Sequence, residues 1–143
     1  MYLELSRIQC LGQAFEDALW TFNSNTALIE VNRRAETQRW SFPDLRKEAE
    51  RLTALFQQQG VRRGDRVAVL AQNQSRWIIS AIAAFWTGAV LVPVDYKLTA
   101  SEQASLLNHC KPSILVIDQG RWRSLKDEAF DSKTRVLVID ENE

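Results

Sequence analysis

The sequence predicts an α/β domain, an open and mostly parallel sheet flanked by helices, with a small antiparallel ribbon near the N-terminus. Three observations carry that expectation. From residue 41 onward, short β-branched runs alternate with stretches of helical length, the pattern of parallel β-α-β units. The clearest unit is Val67 to Asp95. There Val67-Ala68-Val69-Leu70, a polar break at Gln72-Asn73-Gln74-Ser75, an apolar run from Trp77 to Trp86 with a Gly88 stop, and a β-branched return to Pro93-Val94-Asp95 read as strand, helix, strand. Upstream, two strand-like runs joined by a polar loop read as a hairpin rather than a crossover.

Taken in order, Ser6 is placed to cap a first helix whose apolar residues Ile8, Leu11, Phe15, Ala18, Leu19 and Phe22 recur at spacings of three and four. Asn23-Ser24-Asn25 ends it. Thr26 to Val31 and Gln38 to Trp40 form the ribbon, joined by the Asn32 to Thr37 loop. Ser41-Phe42-Pro43-Asp44 is a helix start, with Ser41 as N-cap, Pro43 in the first turn and Asp44 at the positive end of the helix dipole. Trp40 and Leu45 stand where a hydrophobic staple belongs. That helix turns Leu45, Ala49, Leu52, Leu55 and Phe56 inward and stops at Gly60.

The central helix from Trp77 to Trp86 has almost no polar face, so it requires the sheet on one side and further protein on the other. No charge occurs from Trp77 through Val94, which just reaches membrane-spanning length, but Gly88 and Pro93 divide the stretch into helix and strand. Thr99-Ala100-Ser101-Glu102 matches a capping box and opens a helix carrying Ala104, Leu106 and Leu107, ended by Lys111-Pro112. Ser113 to Ile117 and Arg135 to Ile139 are buried-type strands, separated by a helix from Arg121 to Phe130. No repeat or linker interrupts residues 1–143, which read as one α/β subdomain.

At 143 residues the chain is long enough to bury a core without staples. Eighteen basic and eighteen acidic residues cancel, leaving no electrostatic footprint for nucleic acid or an anionic membrane. Arg33-Arg34 and Arg62-Arg63 read as solvated turn charges. Cys10 and Cys110 form no metal or redox pair and read as small buried hydrophobes. The single histidine, His109, reads as a helix-end group rather than a catalyst. The N-terminus lacks the features of a signal peptide, which implies a cytoplasmic protein.

Candidate chemistry is sparse. Asp95, Asp118 and Asp140 each end a strand, and parallel strands bring their ends to one edge, where open α/β sheets bind ligands. A magnesium or phosphoacceptor site would fit that geometry, although adjacent acids are missing after the first strand, and aspartates also simply terminate strands and start turns. Gly60-Val61-Arg62-Arg63-Gly64-Asp65 leads from helix into strand, the reverse of a phosphate cradle. No dinucleotide fingerprint, Walker loop or nucleophile elbow occurs. Tryptophans 20, 40, 77, 86 and 122 are not interleaved with basic residues, so they read as packing groups rather than base-stacking platforms.

The order of the blocks is more specific than any one of them. Trp40-Ser41-Phe42-Pro43-Asp44-Leu45, then Gly60 to Val67, Asn73 with Trp77, and Ala84 through Asp95 followed by Leu98-Thr99-Ala100-Ser101-Glu102 resembles the amino-terminal portion of the adenylate-forming (AMP-binding) ligases. The resemblance runs from the first helix to Asp140. Asn73-Gln74-Ser75-Arg76-Trp77 is most similar to the fatty-acyl-CoA ligase branch.

The resemblance implies a Rossmann-like first subdomain of a larger N-terminal domain. It also implies a parent enzyme, acyl-CoA synthetase-like, that uses ATP, magnesium and CoA. The family's phosphate loop, adenine region and carboxy-terminal lysine have no counterpart here, so catalytic, cofactor-binding and metal residues are all expected to be none, and the fragment inactive. The partner implied is the remainder of the ligase, with CoA or acyl carrier protein reached through the parent. Alone, the chain is expected to self-associate through an apolar face of the central helix. Two other readings stay open: a self-contained binding or signalling module with a magnesium-binding aspartate edge, and a non-catalytic, partner-binding relative of the ligases.

Overall fold

A computed structural model describes residues 4–139. Six strands and five α-helices follow a short 3-10 turn at Leu5–Arg7: α1 Leu11–Thr21, β1 Thr26–Val31, β2 Glu36–Ser41, α2 Phe42–Gln58, β3 Arg66–Leu70, α3 Ser75–Trp86, β4 Val90–Pro93, α4 Ala100–Cys110, β5 Ile114–Asp118, α5 Gln119–Leu125 and β6 Arg135–Ile139. β1 and β2 form the antiparallel ribbon, Thr26 opposite Ser41. The other four strands are all parallel, in the order β4-β3-β5-β6.

Local chemistry sets the helix ends. At α2 the Ser41 hydroxyl accepts the Asp44 N–H and the Asp44 carboxylate accepts the Ser41 N–H, a reciprocal box. Thr99 and Glu102 do the same at α4. Gly60 (φ +83°) and Gly88 (φ +71°) close α2 and α3 through left-handed caps, in which the Val61 N–H reaches Phe56 O and the Ala89 N–H reaches Ala84 O.

Two ends differ from expectation. Ser6 lies in the 3-10 turn and α1 begins after Cys10, which makes no side-chain cap; the Gln13 side chain instead reaches back to the Gln9 N–H at 3.0 Å. The helix expected over Arg121 to Phe130 starts earlier, because Asp118 caps it by accepting the Arg121 N–H, and ends at Leu125.

The core has three layers. β3 and β5 are buried on both faces. Val67, Val69 and Val116 pack with Phe56, Ala83 and Ala84 on the α2–α3 side, while Leu70, Leu115 and Ile117 pack with Leu107 and Leu125 on the α4–α5 side. The third layer decides the fate of α3. Its alanines 83 and 84 face the sheet, and its opposite side, Ile79 and Ile82, packs on Leu19 of α1 and Leu45 and Ala49 of α2. The Trp86 indole donates to Gly12 O at 3.0 Å, and Phe85 stacks on Phe15 with ring centroids 5.7 Å apart. The chain's own α1 and α2 therefore supply the cover that the apolar helix needs. The expected exposed apolar face on α3 does not exist; the large exposed apolar side chains among the described residues are Leu11, Trp20, Ile29, Val31, Val90 and Leu106. No helix of the described residues is long and apolar enough to cross a membrane.

Candidate functional site

Strand order locates the crevice. From β3 the chain moves to β4 on one side and to β5 and β6 on the other, so the direction of winding reverses between β3 and β5. Ligands of open α/β sheets bind outside the carboxyl ends of strands at such a reversal. Here that place lies between the loop 71–74 after β3 and the start of α5 after β5.

Asp118 fills it. Its carboxylate is fully buried, with Oδ2 accepting the Gln72 N–H at 3.2 Å and Oδ1 accepting the Arg121 N–H at 2.8 Å. The Gln72 side-chain amide donates to the Tyr96 hydroxyl at 3.1 Å, and the Arg121 guanidinium lies 3.9 Å over the Tyr96 ring. Among the described residues Arg121 Nε is buried without a hydrogen-bond partner. This cluster ties three strand ends together, and both Asp118 oxygens are engaged by backbone donors.

The other strand-end acids do not join it. Asp95 is exposed and accepts the Lys97 N–H at 2.8 Å in a turn of its own. Asp140 lies outside the described residues. Among the described residues no three His, Cys, Asp or Glu side chains are grouped to hold a metal ion. Among the described residues, then, Asp118 works as a cap and Asp95 as a turn former, and the two do not converge on a shared metal site.

Beside the crevice an open groove of about 790 Å³ separates the ribbon from the start of α3. Its key residue is Glu30 of β1, which no sequence motif singles out. One carboxylate oxygen accepts the Ser75 N–H at 2.6 Å, at the positive end of α3, and the other accepts the Trp40 indole N–H at 3.3 Å. Burial pushes the Glu30 carboxyl up, but the Ser75 backbone, the Trp40 indole, the Ser75 hydroxyl and the Arg76 charge outweigh it and hold the group below the usual carboxylate range. Glu30 therefore latches the ribbon to α3 across 45 residues. It occupies the helix end that would otherwise attract an anion.

The remaining candidates are structural. Gly60 and Gly64 sit at the opposite, amino edge of the sheet, both with positive φ in the turn before β3. His109 is exposed in the last turn of α4. Neither cysteine is fully buried as expected: Cys10 is exposed and Cys110 half-buried, where burial raises its thiol. Trp20 is 56% exposed beneath Arg46, whose guanidinium lies 3.6 Å from the ring centroid, and Trp122 packs edge-on against Phe130.

Known proteins match this frame. The model of the family described as AMP-binding enzyme matches residues 15–143. A crotonobetaine/carnitine–CoA ligase of Salmonella arizonae is 32% identical over 134 residues, covering 92% of this chain and 26% of the relative. A crystal structure described as a putative long-chain-fatty-acid CoA ligase from Rhodopseudomonas palustris superposes with a TM-score of 0.75 at 29% identity, over 94% of this chain and 33% of that one. The anthranilate CoA ligase AuaEII in complex with anthranoyl-AMP shares the fold with a TM-score of 0.79 at 20% identity, over 96% of this chain and 27% of that one. The chain spans about a quarter of the length of the curated relatives it matches. By the match over residues 15–143, the chain belongs to the AMP-binding enzyme family.

Proposed function

We propose that residues 1–143 form the first structural subdomain of an AMP-forming ligase that activates a carboxylic acid, fatty or aryl, and that this piece alone catalyses no step. In the reaction the family implies, a carboxylate oxygen attacks the α-phosphate of ATP and expels pyrophosphate. A thiol, of CoA or a carrier protein, then attacks the acyl carbon and expels AMP. The observation that carries the reading is the family match over residues 15–143, joined to the use this chain makes of the shared blocks. Each builds frame: Ser41 and Asp44 cap α2, Gly88 turns α3 into β4, Asp95 starts a turn, and Thr99 with Glu102 caps α4.

The residues present do not fit ATP-bound magnesium. Asp118 spends both oxygens on backbone donors, Asp95 is committed to its own turn, and Glu30 already occupies the α3 amino end. No step is therefore routed through a metal on this chain. Its contribution is to hold the β3–α3 and β4–α4 loops in place and to present them to the remainder of the ligase. Acid preference, choice of thiol and metal binding belong to that remainder. Reading the coding sequence downstream of Glu143 tests the parent: a Ser/Thr- and Gly-rich loop ending in Gly-x-Pro-Lys is expected, and an uninterrupted reading frame without one overturns the ligase reading.

A further inference from the structure

The even balance of basic and acidic residues conceals a local bias. The turns directly ahead of β3, β5 and β6, residues 60–66, 111–113 and 131–135, gather at the amino edge of the parallel sheet. They carry the cations Arg62, Arg63, Arg66, Lys111, Lys133 and Arg135 against two acids, Asp65 and Asp131. Both acids serve their own turns: Asp65 Oδ2 accepts the Arg62 N–H at 2.8 Å, and Asp131 Oδ1 accepts the Lys133 N–H at 3.0 Å. None of the six cations is in an ion pair among the described residues.

Three of these cations meet at a cavity. Between the ends of α2 and α4 and the start of β6 lies an opening of about 330 Å³, whose walls include Lys111, Lys133, Arg135, Ser113, Gln59 and Asp131. Three cations less one carboxylate leave its lining with two positive charges. The backbone holds these groups together. The Arg135 N–H donates to Ser113 O at 3.0 Å, so β5 and β6 enter the sheet side by side, and the buried Thr134 hydroxyl donates to Pro112 O at 2.8 Å, pinning the turn that bears Lys133 against the end of α4. Arg135 Nη1 passes 3.7 Å from the point where a Cβ on Gly60 would stand, and Lys111 has φ +46°, a left-handed position after a helix that glycine usually fills.

Helix carboxyl ends also attract cations, and two of them face this edge. Those ends are already served. Arg66 Nε donates to Cys110 O at 2.6 Å and Arg66 Nη2 to Lys111 O at 3.3 Å, which closes α4, while the Val61 N–H closes α2 on Phe56 O. The Lys111, Lys133 and Arg135 head groups and the Ser113 hydroxyl are left without a hydrogen-bond or ion-pair partner among the described residues.

We propose that this cavity is a binding site for a small multivalent oxyanion of the phosphate class, held by the Lys111 and Lys133 ammonium groups, the Arg135 guanidinium and the Ser113 hydroxyl. A dianion matches the two positive charges of the lining, which a monovalent ion leaves half compensated. The site lies at the opposite edge of the sheet from Asp118 and Arg121, and it stands whether or not the ligase reading of the parent holds.

Titration of residues 1–143 with inorganic phosphate and with pyrophosphate at constant ionic strength, followed by amide NMR, tests it. Saturable shifts are expected at Gly60, Lys111, Ser113, Lys133 and Arg135, with none at Gln72 or Arg121. Lys133→Gln and Arg135→Gln are each expected to raise the dissociation constant by about threefold to tenfold, the worth of one charge-assisted contact in a wet site. Arg62→Gln with Arg63→Gln, on the same edge but outside the cavity, is expected to leave it unchanged. All four replaced side chains are exposed, and if one variant fails to fold, the wild-type shift map decides. A lipid headgroup offers the same chemistry as a free anion, and flotation with phosphatidylglycerol vesicles separates the two sources. No co-flotation is expected for a free anion, whereas co-flotation that pyrophosphate reverses and Arg135→Gln abolishes would make a headgroup the occupant of the same site. Absence of saturable shifts, shifts centred away from the cavity, or an equal loss from the Arg62 and Arg63 pair would each overturn the proposal.

Discussion

Ile82→Ala probes whether α3 is covered by this chain itself. Ile82 is 1% exposed and lies in the cluster formed with Leu19, Leu45, Ala49 and Ile79. The change deletes three carbons, about 2.4 kcal/mol of transfer free energy at about 0.8 kcal/mol per buried methylene. A partly relaxed cavity adds about 1 kcal/mol, so a destabilisation of about 3–4 kcal/mol is expected. For a chain of this size that lowers the melting temperature by roughly 10 °C. Urea unfolding followed by tryptophan fluorescence measures it, with the half-buried Ile78→Ala expected to lose about half as much. A loss below about 1 kcal/mol at Ile82 would mean that α1 and α2 do not seal α3, and that its outer side waits for protein from elsewhere.

Glu30→Ala removes the acceptor that joins the ribbon to the start of α3, and is expected to cost about 1 kcal/mol near neutral pH, as loss of an N-cap does. Because the folded carboxyl is held below its ordinary value, this stability is present above the unfolded value of 4.5 and is lost as pH falls through the folded one. The gap between wild type and Glu30→Ala should therefore close on acidification, and a gap that widens would reject the latch. Gly88→Ala places a Cβ at φ +71° within 3.2 Å of Arg63 Cγ, and a loss of about 1–2 kcal/mol in thermal melts is expected. Asp118→Ala leaves the Gln72 and Arg121 N–H groups without their acceptor and is expected to cost about 2–3 kcal/mol. Magnesium titration should give the same null response in Asp118→Ala as in wild type, and magnesium binding that the substitution abolishes would restore the metal-module reading.

Sequence periodicity read most of this fold because its signals are local. β1 and β6 fall at their expected bounds, and Ser41, Gly60, Gly88 and Thr99 act within a few residues of where they stand. Ser6 misled because a capping residue type needs a helix directly after it, and the chain spends that stretch on a 3-10 turn before α1. α5 is shorter than its apolar spacing suggests because Trp122 and Phe130 share an apolar cluster without sharing a helix. The cover of α3 could not be assigned from sequence, since an all-apolar helix states that it is enclosed but not by what. Glu30 was hidden for a related reason: its partner Ser75 lies 45 residues away, and no short motif encodes a carboxylate from a ribbon capping a distant helix.

If, as proposed, these residues build only the frame of an AMP-binding enzyme, its chemistry lies in the rest of the protein. ATP–pyrophosphate exchange with residues 1–143 alone, supplied with magnesium and a panel of fatty and aryl acids, tests it most directly. Exchange at the level of the protein-free control is expected for every acid. Acid-dependent exchange above that level, abolished by unfolding the chain, would contradict it.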